Sequence, residues 1–132
     1  MIFNSLVPEL SVTNIVISKS FYVDILSFKV QYEREEDSFA FISLNGAQLM
    51  LDEGANGSWS TALTTYPFGR GINLQFFVED VEKIITSLNK HNIKLFKDPF
   101  ISNYRIGPEN HTFKEVLVQD PDGYLLRFSQ KI

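Results

Sequence analysis

Two short strings, SVTN at 11–14 and FVED at 77–80, each end an apolar run on a residue that can cap a helix. After Asn14, apolar residues fall at Ile17, Phe21, Tyr22, Ile25 and Leu26; after Asp80 they fall at Val81, Ile84, Ile85 and Leu88. Both sets have the three-to-four spacing of one buried helix face. Each helix is preceded by a strand, Leu6–Val12 in one case and Ile72–Val78 in the other. Each half then ends in a hairpin. Asn45-Gly46 turns between Ser38–Leu44 and Ala47–Leu51, and Asp-Pro-Asp-Gly at 120–123 turns between Glu115–Gln119 and Tyr124–Ser129. With Phe28–Tyr32 and a short Ile93–Phe96 as the remaining strands, the order is β-α-β-β-β written twice, an α+β duplication.

The duplication sets correspondences that can be checked. Laying Asn14 on Asp80 places Val7 on Asn73, and laying the Gly46 turn on the Gly123 turn places Met50 on Arg127. The expected organisation is one domain: module one at about 1–53, a connection at 54–71 and module two at about 72–132. With 44% hydrophobic residues, 12 Phe and 21% charged residues among 132, the chain can bury a sizeable core. No apolar run is long enough to span a membrane, and the first ten residues lack the pattern of a signal peptide, so a cytoplasmic location and no membrane partner are expected. There is no Cys, which excludes disulfides and thiolate chemistry. A net charge of −4 with scattered basic residues argues against nucleic acid and towards small molecules, cationic ones included.

Three segments, VPELSVTNIVISKSFYVDILSFKV, DVEKIITSLNKHNI and DPDGYLLRF, resemble in this order the vicinal oxygen chelate superfamily of glyoxalases, bleomycin resistance proteins and extradiol dioxygenases. That resemblance implies two tandem βαβββ modules with curled mixed sheets forming a cup, completed by homodimerisation. It also implies a divalent metal held by the first and last strands of each module, at approximately Val7, Met50, Asn73 and Arg127. These are a poor ligand set. Val7 has no donor atom, Met50 offers a soft thioether, and Arg127 brings a fixed charge. At about 4 Å and an effective dielectric of about 20, a guanidinium and a divalent ion repel by roughly 8 kcal/mol. A two-residue slip of the first strand would bring in Glu9, and a Glu9–Arg127 ion pair would then replace the metal. An outward-pointing Arg127, or one held in a structural ion pair, is the alternative.

The remaining polar motifs point to little chemistry. His91 and His111 are expected in structural or solvent roles, no serine sits in a nucleophile motif, and EREED at 33–37 reads as a solvated hairpin flank. The connection GANGSWSTALTTYPFGRG at 54–71 is long for a compact domain and carries Trp59, Tyr66 and Phe68. A second polar stretch, FISNYRIGPENHT at 100–112, reads as a loop bearing Tyr104 and Arg105. Glu9, Met50, Trp59, Tyr66, Phe68, Asn73, Tyr104, Arg105 and Arg127 are therefore the expected ligand-binding residues, with no catalytic residue, no metal and no cofactor. The expected function is metal-independent binding of a bulky planar or cationic compound in a dimer cleft, of the bleomycin-resistance type. The alternatives are a diverged glyoxalase-like lyase or dioxygenase, and a non-catalytic interaction module.

Overall fold

The computed structural model describes residues 1–54 and 59–132. Module one contains β1 (Glu9–Ser11), α1 (Ile15–Ser20), β2 (Lys29–Arg34), β3 (Phe39–Leu44) and β4 (Ala47–Asp52); module two contains β5 (Asn73–Phe77), α2 (Val81–Lys90), β6 (Lys97–Ile106), β7 (Glu109–Gln119) and β8 (Leu125–Lys131). The sheets have the corresponding orders β1-β4-β3-β2 and β5-β8-β7-β6, and in each the first strand lies parallel to the last. By contact the chain forms two compact units, 1–68 with 121–123, and 69–120 with 124–132.

Both helices start where the sequence places their caps. The Asn14 side chain accepts from the Ile17 amide at 3.1 Å and Asp80 from the Glu82 amide at 3.0 Å. Alternation then separates the two faces of each sheet. In module one, Leu10, Ala40, Ile42, Leu49 and Leu51 are buried with Phe21, Tyr22 and Leu26 of the helical segment. In module two, Phe76, Val116, Val118, Leu126 and Phe128 are buried with Val81, Ile84 and Leu88 of α2. At about 1.5–3 kcal/mol for each fully buried large apolar side chain, these helix-side faces are the main source of stability.

Four expectations need correction. First, the face of α1 is centred on Ser18 and Tyr22, and Ile17 is exposed. The helix continues as a π-helical turn over Phe21–Ile25, with the Leu26 amide donating to the Phe21 carbonyl, so a constant 3.6-residue period fails there. Second, β1 is only three residues long: Leu6 is exposed, and Pro8 has no amide to give a ladder. Third, Ile93–Phe96 forms no strand, and the stretch at 100–112 is not a loop but most of a long hairpin turning at Gly107 and Pro108. As the outermost strand, β6 is exposed at most of its positions and need not alternate in hydrophobicity. Fourth, the partner of Met50 is Glu9, not Val7, and that of Arg127 is Gln75, not Asn73, which faces Leu125. The helix caps align the two modules with each other as expected; the ladder shifts both first strands by the same two residues, which preserves the face.

The Asp-Pro-Asp-Gly turn is fixed from both sides. Asp120 accepts from the Tyr124 amide at 2.9 Å, and the buried Asp122 carboxylate accepts from the Thr13 hydroxyl at 2.6 Å and its amide at 3.2 Å. Gly123 has φ +95°, and a Cβ there would stand 2.6 Å from Pro67 Cα, so only glycine fits.

Candidate ligand-binding faces

On the face of the module-one sheet away from its helix, Glu9 and Met50 lie side by side, followed one row on by Ser11 and Asp52. Across the sheet the same face carries Phe39, Phe41 and Tyr32. Tyr32 stacks on Phe41 at 5.1 Å, and the Arg34 guanidinium sits 4.1 Å over the Phe39 ring. Phe3 packs edge-on against Phe41 at 5.6 Å, its segment pinned by the Gln48 side chain, which accepts from the Asn4 amide and donates to the Ile2 carbonyl. Partial burial raises the Glu9 carboxyl above its ordinary value; the neighbouring Asp52 charge adds to this and Arg34 opposes it.

At the end of this face a cleft of about 610 Å³ opens, lined by Ser11, Thr13, Asp52, Glu53, Leu63 and Phe68 among others. Its floor comes from the ends of β1 and β4, and its wall from the connecting segment. Phe68 is fixed there through its amide, which donates to the Asp122 carbonyl at 2.9 Å. Hydroxyls, two carboxylates and an apolar wall thus surround a space of ligand size.

The corresponding face of module two is a polar network. Glu115 on β7 is fully buried, and its oxygens accept from Ser102 at 2.6 Å, Tyr104 at 2.5 Å and Ser129 at 2.5 Å. Arg127 lies 3.7 Å from Glu115 and donates to Gln75 at 2.8 Å, while Gln75 in turn donates to Ser129 at 3.0 Å. Burial alone would push the Glu115 carboxyl up. The three hydroxyl hydrogen bonds, with the Arg127 charge behind them, outweigh burial and hold it below the usual carboxylate value. The carboxylate that Arg127 meets is therefore Glu115, in place of the expected Glu9.

The expected residues are distributed unevenly. Glu9 joins Met50, Tyr104 joins Arg127 through Glu115, and Phe68 lines the cleft. Trp59, 82% exposed, and Tyr66 are not among the cleft-lining residues. Arg105 turns back to the Gly107 carbonyl, and Asn73 is exposed at the start of β5. Residues 55–58 of the connection lie outside the described residues. His91 contacts the Ser87 carbonyl, and His111 contacts Glu109. Sequence reasoning missed Gln75, Ser102, Glu115 and Ser129. Glu115 had a signal: a carboxylate on the same face as Phe113 and Leu117 is as anomalous as Arg127 among its own neighbours.

The metal positions implied by the resemblance are, in the observed register, Glu9 with Met50 in one module and Gln75 with Arg127 in the other. They do not fit a divalent ion. Only Glu9 offers an uncommitted hard donor, because the Gln75 oxygen already accepts from Arg127 and Arg127 is itself a cation. Among the described residues no group of three or more His, Cys, Asp or Glu is arranged to hold a metal. No helix among them is long and apolar enough to cross a membrane.

A family model described as Glyoxalase/Bleomycin resistance protein/Dioxygenase superfamily matches residues 4–128. A superfamily member from Vibrio splendidus is 34% identical over 94% of this chain and 95% of its own, with a TM-score of 0.43. A glyoxalase/bleomycin resistance protein/dioxygenase from Alicyclobacillus acidocaldarius is 17% identical, with coverage of 98% and 92% and a TM-score of 0.65. A virulence protein from Salmonella typhimurium is 18% identical over the whole of both chains, with a TM-score of 0.67. No curated protein matches significantly.

Proposed function

The chain belongs to the glyoxalase/bleomycin resistance protein/dioxygenase superfamily, and from that premise we propose that it is a metal-independent binding protein for a planar, cationic small molecule. The observation that carries this proposal is the module-one cleft, where Asp52 and Glu53 stand with hydroxyls below a wall that includes Leu63 and Phe68. Carboxylates supply attraction and orientation for a cation, and an aromatic wall favours a flat one. Arg34 over Phe39 is an internal example of the same pairing on this unit. The net charge of −4 adds long-range attraction of the same sign. A donor set that suits no divalent ion removes the main reason to expect lyase or dioxygenase chemistry. The same proposal includes a symmetric homodimer, for which the outer strand β6, with exposed Ile101 and Ile106, offers a surface a second copy would cover.

Titration with ethidium, a planar cation, against anilinonaphthalene sulfonate, a planar anion, tests the cleft. Trp59 adjoins the cleft-lining Ser60, so its emission should report binding. Ethidium should bind in preference to the anion, and Asp52→Asn should weaken it about tenfold, the loss of one charge-assisted contact. Equal binding of the two dyes, or no effect of Asp52→Asn, overturns the proposal.

A further inference from the structure

Arg127 is well anchored, yet most of its donors have no acceptor. Nη2 donates to Gln75, Nη1 stands 3.7 Å from Glu115, and Nε is buried with no hydrogen-bond partner among the described residues. Glu115 is satisfied without it, since Ser102, Tyr104 and Ser129 already occupy both carboxylate oxygens. A guanidinium carries five N–H donors in a planar fork whose geometry matches a carboxylate. The side chain is 26% exposed, so an external acceptor can reach it.

Phe77 extends the same face. In the β5–β8 ladder Gln75 pairs with Arg127 and Phe77 with Ser129, which puts Phe77 one same-face row beyond the guanidinium. At about 3.3 Å per residue the row spacing is roughly 7 Å. Phe77 is 63% exposed, and its ring leans on Phe113 at 5.9 Å, which in turn meets Tyr104 at 5.9 Å. Lys131, in register with Phe113, adds positive charge beyond the rings. A cation with donors to spare, one row from an exposed ring resting on a second ring, matches an anionic head on an aromatic body.

We propose that this face of the second compact unit binds an aryl-alkanoic carboxylate, its carboxylate on Arg127 and its ring on Phe77 and Phe113. A cationic analogue would be repelled by Arg127, and a neutral amide would present one acceptor where the fork takes two. The site lies on different residues and a different unit from the acidic cleft, so the two proposals can fail separately.

Amide NMR titration with hydrocinnamate, hydrocinnamamide and phenylpropylamine tests it on the intact chain. Hydrocinnamate should shift the amides at 75, 77, 127 and 129 and bind about tenfold more tightly than the amide, with the amine weakest. Arg127→Lys, which keeps the charge but loses the fork, should cost about tenfold, or about 1.4 kcal/mol. Phe77→Ala should cost a similar factor, and because Phe77 is exposed this variant keeps the fold and so keeps the test decisive. The proposal is overturned if carboxylate and amide bind alike, if Phe77→Ala binds as the parent does, or if millimolar hydrocinnamate leaves these amides unmoved.

Discussion

Phe39 and Met50 in module one stand where Glu115 and Arg127 stand in module two, because the β3–β4 and β7–β8 ladders have the same register around them. One pair is apolar and the other is charged. On the helix side the same ladders pair Ala40 with Leu51 and Ile42 with Leu49, against Val116 with Phe128 and Val118 with Leu126, all apolar and buried. The contrast teaches which face carries the fold. A helix packed on one side demands hydrophobic residues there in both modules, whereas the opposite face is free to diverge without disturbing strand order. In module one that freedom yields rings bordered by carboxylates, and in module two a buried carboxylate held by three hydroxyls with a partly exposed guanidinium 3.7 Å away.

Removing the charge from module two is the strongest way to break the comparison. Glu115→Ala leaves the buried Ser129 hydroxyl without its acceptor and Arg127 without a counter-charge, and should cost about 3–5 kcal/mol. Arg127→Met, which copies module one at a partly exposed position, should cost about 1–3 kcal/mol. The double variant should cost clearly less than the sum, which equilibrium unfolding in urea measures. Strict additivity would mean that the network is not a unit. The pH dependence has a definite sign. Because Glu115 is held below the ordinary carboxylate value in the folded protein, its contribution is present above that value and is lost as pH falls through the folded one. Glu115→Gln should therefore show a flatter acid limb than the parent.

A smaller effect tests where the modules agree. Asn14 and Asp80 both cap their helices through the side chain, Asn14 from the Ile17 amide and Asp80 from the Glu82 amide, so Asn14→Ala and Asp80→Ala should each cost about 1 kcal/mol. Thermal unfolding of the two variants should give shifts of similar size. A loss confined to one of them would show that the shared sequence signal carries different weight in the two modules.

What was legible in the sequence follows the same division between faces. Caps, tight turns and the helix-side stripes are local and periodic, and they placed both modules and the pairing of Asn14 with Asp80. The π-helical turn at Phe21–Ile25 broke the period and hid the exposure of Ile17. The polar alternation of Ser102, Asn103 and Arg105 passed for a loop because an outer strand needs no apolar stripe. The partner of Arg127 was out of reach for a different reason. Glu115 is twelve residues distant, on a neighbouring strand whose register depends on the whole β7–β8 ladder, and only the ladder shows that their side chains share a face.

The smallest effect concerns Glu9, which the cap alignment and the ladders place opposite Gln75 in the duplication. Glu9→Gln gives module one the residue of module two at the same place. In the folded protein the Glu9 carboxyl is raised, first by partial burial and then by Asp52. A raised group contributes stability below its unfolded value and loses it as pH rises through the folded one. The parent should therefore lose stability over that interval relative to Glu9→Gln, and the difference between them should grow upward from the ordinary Glu range and then level off. It should be small and shrink with added salt, because Glu9 is exposed and its repulsion from Asp52 is screened. Urea unfolding followed as a function of pH, from below the ordinary Glu range upward until the difference levels off, measures it. If Glu9→Gln gains nothing at the higher pH, neither burial nor the Asp52 charge penalises the Glu9 carboxylate, and Glu9 adds nothing to the attraction of a cation to the neighbouring cleft. If it gains, and a bound cation abolishes the gain by stabilising the parent, then the Glu9 charge beside Asp52 contributes to drawing the ligand to this end of module one.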